Sequence, residues 1–370
     1  MAAARVSFTD QVKRAARALA FDAVGIARAG PGVQLDEDVA RWDAFTRAGM
    51  HGEMAYLAQH REARLRLDGE DVLAGARSIV CVARRYQRPP DEEARAGETA
   101  GRIARYARGH DYHRIVRRRI RRLATFLRSL GTPEAPVRAR PMVDEEPILE
   151  RAWAARAGLG FVGKNGILIV PGVGSMVLLA EVVTTLELEP DAPIAERCGA
   201  CTRCLEACPT QAFVAPLVLD PRRCVAYLTI EARGPVPEEL RPGVGTHLFG
   251  CDDCQTVCPF NAGAGARAPV YDADGDPFAP LERWSRVKLE DLLDMDDARW
   301  REISEGTPLR RAGRSGLARN AAIVLGNLGD RGALPALRRC ARENADGVVR
   351  DAAAWAVGRI EERRSGDQEV

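Results

Sequence analysis

Eight of the ten cysteines in this 370-residue chain crowd into residues 198–258. Cys198, Cys201, Cys204 and Cys208 spell C-x2-C-x2-C-x3-C, followed by Pro209. That spacing wraps three thiolates around one [4Fe–4S] cube and sends the fourth to a neighbouring cube. Cys251, Cys254 and Cys258, followed by Pro259, repeat the run with one member missing, and Cys224 lies between to replace it. Two cubes need eight thiolates. The first takes Cys198, Cys201, Cys204 and, by crossover, Cys258; the second takes Cys251, Cys254, Cys224 and, by crossover, Cys208. Structural zinc also uses C-x2-C but does not require the C-x2-C-x2-C triple. A disulfide framework suits short secreted chains instead. Two cubes side by side carry electrons, so the rest of the chain must hold what receives them.

The elements before the cysteines alternate between helix and strand. Residues 8–20 make an amphipathic helix, capped by Ser7 or Thr9 and carrying Val12, Ala16 and Leu19 on one face. FDAVGIAR (21–28) and SIVCVARRY (78–86) read as strands, and Cys81 in the second reads as packing. Between them Trp42, Phe45, Met54, Tyr56 and Leu57 are expected in the core. Residues 89–101 are a loop by composition. Residues 102–131 hold ten arginines and one aspartate around an apolar stripe of Ile115, Ile120, Leu123, Phe126 and Leu127. This is an arginine-faced helix: a solvated face, or a phosphate contact. VRARPMVD (137–144) is a strand ending at Asp144, and a helix with Pro147 in its first turn follows. A carboxylate there is placed for chemistry, although the position also favours a helix N-cap. ILIVPG and SMVLLAEVVTTLEL then predict a hairpin or a neighbouring strand pair about Gly172 and Gly174. There is no P-loop, and GLGFVG does not follow a strand as dinucleotide binding requires.

Together these predict an α+β/α/β chain: an α/β domain with a mixed sheet (1–190), a ferredoxin-like two-cluster module (191–265) and a helical region (285–365). An irregular segment, 262–280, links the last two. RNAAIVLGNLG (319–329) recurs loosely as RDAAAWAVGRI (350–360), the mark of HEAT-like helix pairs. Arg310, Arg311, Arg314 and Arg319 precede or open that repeat, as a phosphate-binding or a merely solvated basic turn. The formal net charge is only +2, so net charge by itself predicts no polyanion partner. No run reaches the length of a membrane span, and free thiolate ligands without an export signal predict the cytoplasm.

RYARGHDYH (105–113), VDEEPILERAWA (143–154), GLGFVGKNG (158–166), CGACTRCLEACPTQAF (198–213), CVAYLTIEARGPVP (224–237), GCDDCQTVCPFN (250–261) and RRAGRSGLARNAAIVLGN (310–327) follow in this order. Taken together the chain resembles the epoxyqueuosine reductases, iron–sulfur and cobalamin enzymes that complete queuosine in tRNA. It departs where that family has small residues at Glu145 and Glu146, Ser at Ala226, and often Trp at Phe161 and Met176. The resemblance implies two [4Fe–4S] clusters and a base-off cobalamin between the N-terminal domain and the clusters. It implies that Asp144 is the general acid, with a raised pKa, and that Arg151 lines the substrate side of the corrin. Arg66, Tyr106, Lys164 and Asn165 are implied in the corrin pocket. The arginines at 310, 311, 314 and 319 would hold a tRNA anticodon loop. A monomer served by an unidentified electron donor is expected. A reductive dehalogenase would share the first two parts without needing a basic helical repeat; a non-catalytic electron carrier or cluster-bearing nucleic-acid binder would need no corrinoid.

Overall fold

The computed structural model describes residues 7–33, 35–88, 101–264, 276 and 278–366. Residues 89–100, most of the expected loop, and 265–275 and 277 of the expected linker lie outside the described residues. The principal sheet has the order β1 (Ala23–Arg28), β2 (Ser78–Arg85), β7 (Val177–Thr184) and β4 (Ala139–Met142). Every pairing is antiparallel, which corrects the expected mixed sheet. The long excursion between β1 and β2 closes where it opened, with Ala29 N donating to Arg77 O at 2.9 Å. It is a lateral detour, not the crossover that a parallel pair needs.

Every residue of β2 is buried, because both faces are covered. Ile79, Cys81 and Ala83 face one core, while Val80 and Val82 face the other, as the two-residue strand period dictates. The second core is closed by α1 (Phe8–Ala18), capped by Ser7, and by α3 (Tyr112–Arg128), the arginine-faced helix. The first is closed by α4 (Glu150–Arg156). A Cβ on Gly25 of β1 would lie 2.0 Å from Ala157 O, so only glycine lets the end of α4 settle on the sheet. Between α1 and α3, helix α2 (Asp36–Arg47) buries none of its residues. Trp42, Phe45, Met54 and Leu57 are half-buried and Tyr56 is exposed, which corrects their assignment to the core. They are tied locally: Trp42 Nε1 donates to Leu57 O, and the Arg311 guanidinium lies over the Tyr56 ring.

The apolar runs around residues 167–184 do not pair with each other as a unit. β6 (Leu168–Ile169) pairs with β5 (Phe161–Val162), while β7 enters the main sheet. An isolated bridge between Val170 and Gly174 turns the chain from one to the other. Strand β3 (Arg102–Ile103) leaves the N-terminal half altogether and pairs parallel with β10 (His247–Phe249) inside the cysteine-rich segment.

The C-terminal helices α7 (Gly313–Leu328), α8 (Leu334–Glu343) and α9 (Gly347–Gly366) do not form a core of their own. They share one with Ile103, with Leu228 of α5 (Val225–Ile230), with Phe249 and with Leu292 of α6 (Leu289–Leu293). Arg319 carries this contact. It is 1% exposed and its Nη1 donates to Ala232 O (2.8 Å) and Gly234 O (2.7 Å), with Nη2 directed at Leu228 O. Asn320 donates to Thr229 O and Leu248 O. Of these, Leu228 O and Thr229 O are among the carbonyls that the end of α5 leaves without intrahelical partners. Arg319 is therefore a buried tie and not a phosphate contact, which corrects that expectation. No described helix is long and apolar enough to cross a membrane. Replacing Arg319 by Leu would strand several buried carbonyls, each costing about 1–3 kcal/mol. We expect a loss of at least about 3 kcal/mol in denaturant unfolding and loosening of the cysteine-rich segment to protease.

Candidate active site and cluster module

Asp144 stands just past the end of β4, in a turn where Glu146 N donates to Val143 O. It does not cap α4, whose N-cap is Leu149, and Pro147 precedes the helix instead of lying in its first turn. What holds Asp144 comes from the start of α3. Asp111 is the N-cap of that helix and accepts from His113 N. This fixes the first turn so that Tyr112 and His113 both reach Asp144. His113 Nε2 lies 3.0 Å from Asp144 Oδ1, and His113 Nδ1 lies 2.7 Å from Asp111 Oδ1. Tyr112 OH donates to Asp144 Oδ2, and its ring stacks on that of His113 at 4.1 Å between centroids.

An imidazole with a carboxylate at each nitrogen keeps its proton. Burial opposes the charge on His113, but the hydrogen bonds to Asp111 and Asp144 outweigh it and push the group up to about 9. Burial pulls the Asp144 carboxyl upward, yet the His113 contact and the Tyr112 hydroxyl hold it below the ordinary carboxylate value. The expected raised pKa of Asp144 is thereby corrected: the site's dissociable proton sits on His113, and Asp144 is the anion facing outward. Glu145 and Glu146 do not supply repulsion from within, since they pair with Arg117 and Arg140.

Behind Asp144 lie polar groups left without partners among the described residues. Glu150 Oε1 and Trp153 Nε1 project from α4, both oxygens of Glu181 from β7, and Asn165 Nδ2 from the loop between β5 and β6. Native folds rarely bury such atoms unsatisfied. An amide-fringed macrocycle such as a corrin suits N–H donors like those of Trp153 and Asn165. Tyr106 lies on the other side in an aromatic row, its ring 6.4 Å from Tyr86 and 5.8 Å from Tyr112. Arg151 is exposed and donates to Gly166 O in the same loop as Asn165. Two residues are engaged elsewhere. The Arg66 guanidinium is exposed and paired with Asp68 at 3.2 Å. Lys164 Nζ donates to Gly199 O (2.6 Å) and Cys201 O (3.1 Å), clamping the first cysteine loop.

All ten cysteines are free. Electrostatic interaction among the clustered thiols runs mainly within two groups of four. Cys204 is influenced by Cys258 and Cys201, Cys198 by Cys204, and Cys258 by Cys201. Cys251 is influenced by Cys224 and Cys254, Cys254 by Cys224 and Cys208, and Cys224 by Cys208. One further interaction, Cys254 with Cys204, spans the sets. Burial, ahead of these neighbours, holds Cys198, Cys204, Cys224, Cys251, Cys254 and Cys258 above their ordinary value, so isolated thiolates there are disfavoured until a metal centre replaces the protons. N–H donors also face the sulfurs: Ala212 N lies 3.2 Å from Cys208 Sγ, and His247 Nε2 lies 3.8 Å from Cys251 Sγ. A buried network fastens this module to the start of β7: Asn261 Oδ1 accepts from Ser175 N, and Ser175 Oγ donates to Gln255 Oε1.

Sequence reasoning missed Tyr112, His113, Glu150 and Glu181. For the first two the signal was present in D-Y-H, an N-cap aspartate followed two residues later by histidine. The other two read as an ordinary first-turn acid and a strand residue.

Comparison with known proteins agrees with this layout. Residues 197–261 match a family described as "4Fe-4S double cluster binding domain", and 309–368 match "HEAT repeats". Residues 66–145 match "Epoxyqueuosine reductase QueG, DUF1730". The epoxyqueuosine reductase of Gloeobacter violaceus is 44% identical over 86% of this chain and 96% of its own. That of Escherichia coli is 34% identical over 96% and 90%. A crystal structure of epoxyqueuosine reductase with an epoxyqueuosine-modified tRNA-Tyr stem loop superposes with a TM-score of 0.83 at 32% identity, covering 95% of this chain and 89% of that one. The Bacillus subtilis enzyme, in a form whose catalytic aspartate loop is swung out of the active site, gives 0.82 at 31% identity over 95% and 90%. With relatives this similar along nearly the whole of both chains, the protein belongs to the epoxyqueuosine reductase family.

Proposed function

We propose that this enzyme reduces the epoxide of epoxyqueuosine in a tRNA anticodon loop to the alkene of queuosine. The overall change consumes two electrons and two protons and releases water. Family membership supports the substrate, as does the relative crystallised on a modified tRNA stem loop. The observation that carries the chemistry is the Asp111–His113–Asp144 chain, a proton held between carboxylates at an open mouth.

Cys198, Cys201, Cys204 and Cys258 ligate one [4Fe–4S] cluster, and Cys208, Cys224, Cys251 and Cys254 the other. A cobalamin is held by Asn165, Trp153, Tyr106 and Arg151. When bound, the clusters and the corrinoid supply the two electrons. The chain's own residues manage the proton. Asp144 faces the departing epoxide oxygen and passes on the proton it draws from His113, while Asp111 keeps the ring oriented and Tyr112 fixes the second Asp144 oxygen. Neighbouring segments confine the reaction: the aromatic row of Tyr86, Tyr106 and Tyr112 limits water on the cluster side.

Arg310, exposed, and Arg311 and Arg314, at the surface beside Glu231 and Asp297, hold the RNA backbone. Such contacts position a loop without reading its sequence. The splayed base must then enter the pocket unstacked. The N-terminal part through about residue 190 serves as the catalytic domain, the segment 191–265 as the electron module and the helices of 285–365 as the RNA support.

Asp144→Asn is expected to lower alkene formation about 10²- to 10³-fold while leaving both clusters and tRNA affinity unchanged; nucleoside mass spectrometry of the product reads this directly. Turnover should fall as pH rises through the His113 value of about 9. The same ion pairing stabilises the fold fully below the unfolded value of 6.5 and ceases to do so above about 9. A His113→Gln enzyme should lose that alkaline limb. Cys258→Ser should remove roughly half of the bound iron, since one cube of two loses a ligand. Binding of the stem loop should weaken steeply with salt, with a slope near −2 for three phosphate contacts at about −0.7 each, and Arg310→Ala combined with Arg311→Ala should flatten it.

A further inference from the structure

The proposed reduction needs two protons per turnover, and the Asp111–His113–Asp144 chain holds one. Glu181 offers the means for the second. It lies midway along β7, directly opposite Cys81 on β2 and Met142 on β4, on the sheet face that α4 covers. Its neighbours on that face, Leu179 and Val183, are apolar and belong to the core. Glu181 is 0% exposed, and neither of its carboxyl oxygens has a hydrogen-bond partner among the described residues. Packing gives no reason for a carboxyl here, since an aliphatic side chain would fill the place without the burial cost. Above it, α4 presents Glu150, half-buried with Oε1 likewise unpartnered, and Trp153, whose indole Nε1 is also without an acceptor. Burial thus increases from Asp144, with a side chain 36% exposed, through the half-buried Glu150 to the fully enclosed Glu181.

We propose that the buried carboxyls of Glu150 and Glu181 hold protons and act as an internal store that recharges Asp144 with the second proton of each turnover. The inference rests on the reduction proposed above. The balance is simple. One proton passes from His113 through Asp144 to the epoxide oxygen. A second passes from the Glu150–Glu181 pair to Asp144 and then to the same oxygen, which departs as water. The two electrons come from the clusters and their donor, and solvent at the mouth refills the pair. Neither glutamate touches substrate, so both are positioning residues acting through Asp144. The charged and titratable groups that face the pair are Asp144, His113 and Tyr112 from the mouth, Arg151 from α4 and Cys81 from β2. Burial first, then the Asp144 charge, pushes Glu150 up to about 8 against the opposing effect of Arg151 and His113. Burial, then Glu150 and Asp144, raises Glu181 well above the carboxylate range. Both carboxyls are therefore protonated at neutral pH, and Glu150 gives up its proton as pH rises through about 8.

The test uses the full chain with both clusters loaded. Infrared difference spectra recorded against pH, with and without cobalamin, should show the carbonyl stretch of a buried protonated carboxyl at pH 7. That band should weaken above about pH 8 and lose intensity in Glu181→Gln. Single-turnover alkene formation by Glu181→Gln at pH 8 should be about tenfold slower than wild type, with tRNA affinity unchanged and the pH–rate profile displaced. Glu150→Gln, whose site is less enclosed, should show the same displacement and guards against a folding defect in the first variant. A band undiminished by either substitution, or variant pH–rate profiles that overlay the wild type, overturns the store. A wild-type enzyme that carries the band but leaves epoxyqueuosine tRNA unreduced overturns the proposed function and, with it, the role of the pair in that reaction; the infrared result still decides whether the two carboxyls hold protons.

Discussion

The position of Cys224 depends on an interaction more than ninety residues further along the chain. Cys224 is the N-cap of α5, and the far end of α5 is held by Arg319 and Asn320, which satisfy the carbonyls of Leu228, Thr229 and Ala232. A helix of six residues has no intrinsic stability in water. Its direction is set by whatever completes its terminal hydrogen bonds. Asn320 also bonds Leu248 O, and so fixes β10 against the same point. β10 in turn pairs with β3 and delivers Cys251. One buried guanidinium and one buried amide therefore align three segments that must converge on a single set of thiols. This is why the C-terminal helices share their core with the cysteine-rich segment: they brace it as well as presenting Arg310 and its neighbours outward.

A second constraint governs the proton. The carboxylate expected to carry it faces an imidazole, and an imidazole between two carboxylates is the stronger proton holder of the three. The chemical consequence concerns timing more than capacity. In the proposed reduction, Asp144 would remain an anion at rest and become a donor only when negative charge develops on the oxygen opposite it. Proton transfer then follows electron arrival, and the resting site does not protonate an epoxide prematurely. The side chains around it suit that order, because the hydroxyls of Tyr106 and Tyr112 are held far from ionisation by burial, with nearby carboxylates adding to the effect.

How much of this was legible in the sequence follows from how local each determinant is. The cysteine spacing is short-range chemistry, and a double-cluster module over 197–261 is what the family comparison finds there. Strand β2, helix α3 and the place of Asp144 beyond β4 were readable from periodicity and punctuation. The antiparallel sheet was not, because the bond between Ala29 and Arg77 that closes the detour leaves no trace in either flanking pattern. Nor was the charge state of Asp144, whose partner His113 lies 31 positions earlier and is brought back by the packing of α3 on the sheet. Arg319 shows the same limit most plainly. In sequence it belongs to a run of arginines and glycines, and nothing local separates it from Arg310. Only the fold turns one toward the carbonyls of α5 and leaves the other in solvent.

Those two constraints meet in the space between Asp144 and the second thiol set. Tyr86 lies against Gln255, the neighbour of Cys254, and the row from Tyr86 through Tyr106 to Tyr112 ends on Asp144. In the proposed reduction, electron and proton sources would thus face one another across neutral, mostly buried rings. In such a medium a unit of charge is screened far less than in water. An electron delivered on the cluster side therefore raises the proton affinity of the groups facing it, and a proton delivered from the His113 side favours the electron's arrival. Coupling of this kind requires that the intervening side chains be uncharged and that water be scarce. A charged or hydrated layer in place of the three tyrosines would uncouple the two flows even with every cysteine and Asp144 in position.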